Sequence, residues 1–212
     1  MFLKTGGGKF LKNSAATGGM IQKNDRPPLT AFYSYAGHVL TKAEIDLARR
    51  VYRALARLPR GGSLHQVHGL LWRALITESW DIRFIFLWIV LEALFGSESA
   101  TGEVAFRLSS RLALFLESEG AGARALYDDA KKSYNVRSRI VHGLRLKNLP
   151  DDQADRYMGS LERWVRDSLV KVVLDDRLHE TFAGNGREAY LEGLMFGDGG
   201  EVAILPSTLS EP

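Results

Sequence analysis

The chain has 212 residues, a net charge of +3 and no cysteine. This length is sufficient for one well-buried domain with extensions. The charge is only mildly basic, so it does not by itself indicate a nucleic-acid-binding protein. The absence of cysteine excludes disulfide bonds and thiolate metal sites. It is also compatible with the reducing cytoplasm, where we expect the protein to reside.

The two ends of the chain carry opposite charge. Residues 1–40 contain five Lys or Arg against one Asp, and residues 183–212 contain one Arg against five acidic residues. We predict a flexible basic N-terminal extension over 1–40, a helical domain over 41–182 and an acidic, glycine-rich C-terminal extension over 183–212. The N-terminal segment has no apolar run of secretory type, so we expect no export.

Hydrophobic periodicity predicts an all-α bundle. The predicted helices run over about 41–58, 63–78, 80–96, 103–119, 124–142 and 151–181. Thr41 and Glu44 form a capping-box pattern at the start of the first helix. After residue 183 we expect one short helical turn near Tyr190 and a weak strand at Val202–Leu205.

The segment from Trp80 to Gly96 is the hydrophobic centre of the sequence. Phe84 to Leu91 is apolar on all sides, which predicts a helix buried on most sides, and it is too short to span a membrane. We therefore expect no membrane partner. Glu92 follows this run, and a buried carboxylate needs a partner. We expect a buried pair with Arg107 or Arg111 on the next helix, and we favour a structural role for this pair over a catalytic one.

Two histidines raise the question of a metal site. His65 and His68 are three residues apart and could both contact one ion. No third His or Cys and no acidic residue lies at ligand spacing, so we expect no metal and no cofactor.

A cluster of basic residues surrounds a single histidine near the end of the fifth helix. Between residues 131 and 147 there is no Asp or Glu, and the basic residues are Lys131, Lys132, Arg137, Arg139, Arg145 and Lys147. Guanidinium groups suit phosphates, and the imidazole of His142 can transfer a proton near neutral pH. The cluster therefore indicates a phosphodiester ligand, although such residues on a helix are also typical of a solvated face.

The spacing of Arg137 and His142 limits this interpretation. Five residues separate them by about 140° around an ideal helix, so they do not share a face. Gly143 is well placed to end the helix directly after His142. We therefore expect a site at the end of the helix that is completed by a second surface.

The segment Arg137-Ser-Arg-Ile-Val-His142 resembles the Arg-x4-6-His motif of HEPN domains (higher eukaryotes and prokaryotes nucleotide-binding). Its context, Tyr134–Gly143, resembles the Apea-like HEPN branch, as do the blocks Phe86–Gly96 and Phe106–Leu114. The resemblance covers about residues 43–182. Many HEPN domains carry Asn or Asp directly after the Arg, where this chain has Ser138, which makes Ser138 a third candidate site residue.

This resemblance implies an HEPN-like helical bundle and a metal-independent endoribonuclease that acts as a homodimer. Cleavage would proceed by attack of the RNA 2′-OH, with Arg137 and His142 as the catalytic residues. The basic residues of the cluster would bind RNA. An antitoxin or sensor protein is a possible partner, in a toxin or antiviral-defence setting. The alternative is a non-catalytic RNA-binding, nucleotide-binding or dimerisation module on the same bundle.

Overall fold

The computed structural model describes residues 40–97, 103–117, 120–144 and 149–196. Every regular element in these ranges is an α-helix, which confirms the predicted all-α bundle. The helices are Lys42–Ala56 (α1), Ser63–Ile76 (α2), Trp80–Phe95 (α3), Val104–Glu117 (α4), Gly120–Val141 (α5), Asp151–Leu174 (α6), Asp176–Ala183 (α7) and Arg187–Phe196 (α8). Nearly all of the predicted N-terminal extension, and the predicted strand at Val202–Leu205, lie outside the described residues.

Helix α3 forms the centre of the bundle. Its large side chains, among them Phe84, Trp88, Leu91 and Phe95, are fully buried. The helix packs against α2, α4, α5 and α6, so it is buried on most sides, as the continuous apolar run predicted, and Ile82 near its start is exposed. Across the described ranges, no helix combines the length and the hydropathy needed to cross a membrane.

The chain breaks the helix predicted over 151–181 into two. Helix α6 ends at Leu174, where Asp175 adopts an extended backbone conformation. The Asp175 carboxylate then accepts a hydrogen bond of 2.9 Å from the backbone N–H of Leu178 and caps α7. This turn lets α7 bury Leu178 and Phe182 against the bundle.

Helix α8 belongs to the bundle, although its residues fall within the predicted C-terminal extension. It packs against α4 and α7, and Leu191 is completely buried in the hydrophobic core. The packed domain therefore extends beyond residue 182 and includes α8, where the sequence predicts only a short helical turn near Tyr190.

An ion pair joins α8 to α4. Arg111 is only 1% exposed, and its Nη2 lies 2.6 Å from Oε1 of Glu188 on α8. Its Nη1 also donates to the backbone carbonyl of Phe95 at the end of α3, at 3.1 Å. The predicted pairing of Glu92 with Arg107 or Arg111 is therefore wrong: Arg111 is buried and paired with Glu188, and Arg107 is exposed.

We expect Glu188→Gln to destabilise the protein, because it leaves the buried Arg111 without a counter-charge. Losing one partner of a fully buried pair costs about 3–5 kcal/mol, but the Glu188 side chain is 36% exposed. Solvent screening reduces the expected loss to about 1–3 kcal/mol at pH 7. Denaturant unfolding measures it, and Glu192→Gln, an exposed glutamate on the same helix, is the matched control.

The same pair predicts an acid dependence of stability. The hydrogen bond from Arg111 holds the pKa of Glu188 below its usual value, and the nearby Arg187 charge lowers it further. A carboxylate whose pKa is lower in the folded state than in the unfolded state stabilises the protein fully above the unfolded-state pKa, which is about 4.3 for Glu. This stabilisation is lost as the pH falls through the folded-state pKa. The stability difference between wild type and Glu188→Gln should therefore shrink below about pH 4. A difference that stays constant down to pH 3 would contradict the pairing.

Candidate functional site

Arg137 lies at the contact between α5 and α3, where it forms an ion pair with Glu92. Its Nη2 is 3.0 Å from Oε1 and 3.1 Å from Oε2 of the Glu92 carboxylate. The Arg137 and Glu92 side chains are 21% and 25% exposed, so the pair is half-buried rather than solvated. The Glu92 carboxylate has a cationic partner, as the sequence predicts, but that partner is Arg137.

Two aromatic side chains complete this cluster. The Tyr134 ring packs edge-on against Trp88 with the ring centroids 5.1 Å apart, and Cζ of Arg137 lies 5.4 Å from the Tyr134 ring centroid. A guanidinium over an aromatic face is attracted by the ring quadrupole. Burial raises the pKa of the Tyr134 phenol, and the charge of Glu92 and a hydrogen bond to it raise it further. Tyr134 is therefore a neutral hydrogen-bond donor at pH 7.

The cluster holds two buried nitrogen atoms that make no hydrogen bond within the described part of the chain. They are Nε1 of Trp88 and Nε of Arg137. Buried polar atoms are usually hydrogen-bonded, and exceptions are common at functional sites. This cluster therefore has unused hydrogen-bonding capacity next to the arginine of the motif.

His142 lies at the C-terminal end of α5 and is exposed. Gly143 has a φ of +65°, and its N–H donates to the carbonyl of Ile140 at 2.9 Å. The N–H of Leu144 donates to the carbonyl of Arg139 at 2.9 Å, which completes a Schellman motif. The prediction that Gly143 ends the helix is confirmed, and the turn fixes the backbone beside His142.

The structure does not bring His142 and Arg137 into contact. No hydrogen bond or ion pair joins these two described residues, as expected from their positions on opposite sides of α5. One helical segment of five residues also separates them by about 7.5 Å along the axis. One chain thus presents the half-buried Arg137 on the face of α5 that packs against α3, and the exposed His142 at the C-terminal end of α5.

The remaining predicted site residues have different environments. Ser138 is half-buried, and its backbone carbonyl accepts the N–H of His142 at 3.1 Å. Lys131 is exposed and donates to the Tyr127 hydroxyl at 3.3 Å. Lys132 is exposed and lies 4.0 Å from Asp129. Arg139 is exposed, and Arg145 and Lys147 lie outside the described residues.

Sequence reasoning missed Tyr134 and misassigned Glu92. Tyr134 and Arg137 are three residues apart on one helix, so they face the same neighbour, and that spacing could have indicated their common contact with α3. For metals, the structure shows no group of three or more His, Cys, Asp or Glu within the described ranges that could hold an ion. His65 is exposed and His68 half-buried on α2.

Comparison of the chain with protein-family models, with curated proteins and with solved structures gave no match. The assignment of this bundle to the HEPN family therefore stays a prediction that depends on the sequence blocks described above.

A double-mutant cycle on Glu92→Gln and Arg137→Gln measures the strength of the pair. Because both side chains are half-buried and hydrogen-bonded, we expect a coupling energy of about 1–3 kcal/mol in denaturant unfolding. The matched cycle on Glu92→Gln and Arg107→Gln should give less than about 0.5 kcal/mol, since no ion pair joins those residues. Equal coupling in the two cycles would contradict the assignment of Arg137 as the partner.

Proposed function

We propose that the protein is a metal-independent endoribonuclease of HEPN type that acts as a homodimer. The observation that carries the proposal is the arrangement on α5: Arg137 is held by Glu92 and Tyr134, and His142 stands exposed at the fixed end of the same helix. A positioned cation can stabilise the charge on the phosphoryl oxygens, and an accessible imidazole can transfer a proton, which are both functions that metal-independent phosphodiester cleavage uses.

The reaction would be a transesterification within the RNA. The 2′-oxygen attacks the adjacent phosphorus, the bond to the 5′-oxygen of the next nucleotide breaks, and a 2′,3′-cyclic phosphate and a 5′-hydroxyl are produced. The base removes the 2′-OH proton, and the acid gives a proton to the leaving oxygen. Arg137 stabilises the charge that builds on the phosphoryl oxygens.

One chain supplies His142 as its single imidazole at this end of α5. A second copy related by a two-fold axis would bring a second His142 to the same substrate, so that one acts as base and the other as acid. The exposed Val141 and Leu144 on either side of His142 and Gly143 support a contact at this end of the helix. We place this activity in a toxin or antiviral-defence setting, with an antitoxin or sensor protein as partner.

A second candidate function is a module that binds RNA without cutting it. The Glu92 carboxylate already compensates part of the Arg137 charge, and an RNA phosphate would bring a like charge close to that carboxylate. This observation favours a structural role for Arg137, with the exposed Lys131 and Arg139 making the contacts to RNA.

Cleavage assays with single variants separate the two functions. We expect His142→Ala and Arg137→Ala each to reduce the cleavage rate by about 10²–10⁴-fold at saturating protein, because an acid–base or charge-stabilising group is lost. Lys131→Ala should only weaken binding, more visibly at low salt. The wild type should cleave in EDTA and should spare a substrate with 2′-deoxyribose at the cleaved position. Wild-type rates for His142→Ala would leave the binding module as the function.

A mixing experiment tests whether two copies form one site. Wild type and His142→Ala are combined in equal amounts and allowed to exchange subunits. If each site needs both histidines, the cleavage rate per total protein should fall to about one quarter, because only wild-type dimers are active. If the two copies act independently, about one half of the wild-type cleavage rate should remain. Sedimentation of both proteins as monomers at micromolar concentration would contradict the dimer itself.

A further inference from the structure

An open cleft borders Glu92, the carboxylate that also pairs with Arg137. It has a volume of about 460 Å³ and lies between α2, α3, α4 and the start of α8. Its lining includes apolar side chains, among them Val67 and Leu108, and the charged Glu92, Arg107 and Arg187. This volume is within the range of about 300–1,000 Å³ that is typical of sites for small organic ligands.

The charges in the cleft favour an anion. Arg187 donates from Nη1 to the carbonyl of Ala93 at 2.7 Å, and this bond holds its guanidinium at the wall. Arg107 is exposed and forms no ion pair with any described carboxylate. The carboxylate of Glu92 is already paired with Arg137. A ligand in the cleft would therefore meet the exposed guanidinium of Arg107 and a Glu92 carboxylate that is partly compensated by Arg137.

The geometry points to a binding site for a small organic oxyanion, a carboxylate or a phosphate carried on an apolar body. The planar guanidinium of Arg107 can bind either oxyanion through two parallel hydrogen bonds. Val67 and Leu108 cover the apolar body of the ligand and remove it from water. An organic cation would be repelled by Arg107. This site does not depend on the proposed ribonuclease function.

Glu92 connects the cleft to the Arg137 cluster. The same carboxylate lines the cleft and holds Arg137 across the contact between α3 and α5. An oxyanion bound at Arg107 adds negative charge to the cleft that Glu92 lines. Occupation of the cleft is therefore expected to change the environment of the Arg137 side chain as well as that of the cleft wall.

NMR titration of the ¹⁵N-labelled full chain tests the site with three probes. Benzoate and phenyl phosphate carry the two oxyanions, and benzyl alcohol is the neutral control. We expect both anions to shift the amide signals of Val67 and Leu108 with a Kd of about 1 mM, as is usual for ligands of this size. The anion with the lower Kd identifies the preferred oxyanion. No shift up to about 10 mM, or equal binding of benzyl alcohol, would overturn the proposal.

Two variants localise the binding. Arg107→Gln removes an exposed side chain and should weaken both anions by about fivefold or more. Arg163→Gln, an exposed arginine on α6, is the matched control and should leave the Kd unchanged. Val104→Trp places a large side chain at the cleft lining and should abolish the shifts at Val67 and Leu108. Anion binding that is equal in wild type and Arg107→Gln would show non-specific association and overturn the site.

Discussion

The burial of most of α3 determines where the other helices and the polar groups of this protein lie. A helix that is apolar over most of its surface requires neighbours on most sides, and α2, α4, α5 and α6 supply them. Glu92 lies near the C-terminal end of this largely apolar helix, and desolvation makes an unpaired charge there costly. The pairing of Glu92 with Arg137 therefore favours one rotation of α5 about its axis relative to α3.

The C-terminal end of α3 imposes a second requirement, because the last carbonyls of a helix have no partners within it. Arg111 on α4 donates to the carbonyl of Phe95, and Arg187 on α8 donates to that of Ala93. Arg111 is itself compensated by Glu188 on α8. Helix α8 thus contributes both a donor and a counter-charge at the end of the central helix, which explains why it packs against the bundle.

Local patterns in the sequence predicted the helices, but not the pairing of charges between them. The capping box of Thr41 and Glu44 and the left-handed Gly143 depend on residues a few positions apart, and both are confirmed. The partner of Glu92 depends on which face α5 turns towards α3, and the nearer Arg107 and Arg111 appeared equally suitable. Glu188 was missed because the composition of the last thirty residues resembles a tail, whereas the burial of Leu191 makes α8 part of the core.

The Glu92 carboxylate also sets the physical condition for the proposed chemistry. A guanidinium fixed by a carboxylate and an aromatic ring loses less conformational entropy when it meets a phosphate, which favours catalysis by a preorganised charge. The same carboxylate reduces the net charge that the phosphate meets, which opposes binding. The Tyr134 hydroxyl is hydrogen-bonded to the same carboxylate, so it helps to hold Glu92 in place. Catalysis at this site therefore requires that the preorganised guanidinium outweigh the repulsion between Glu92 and the phosphate.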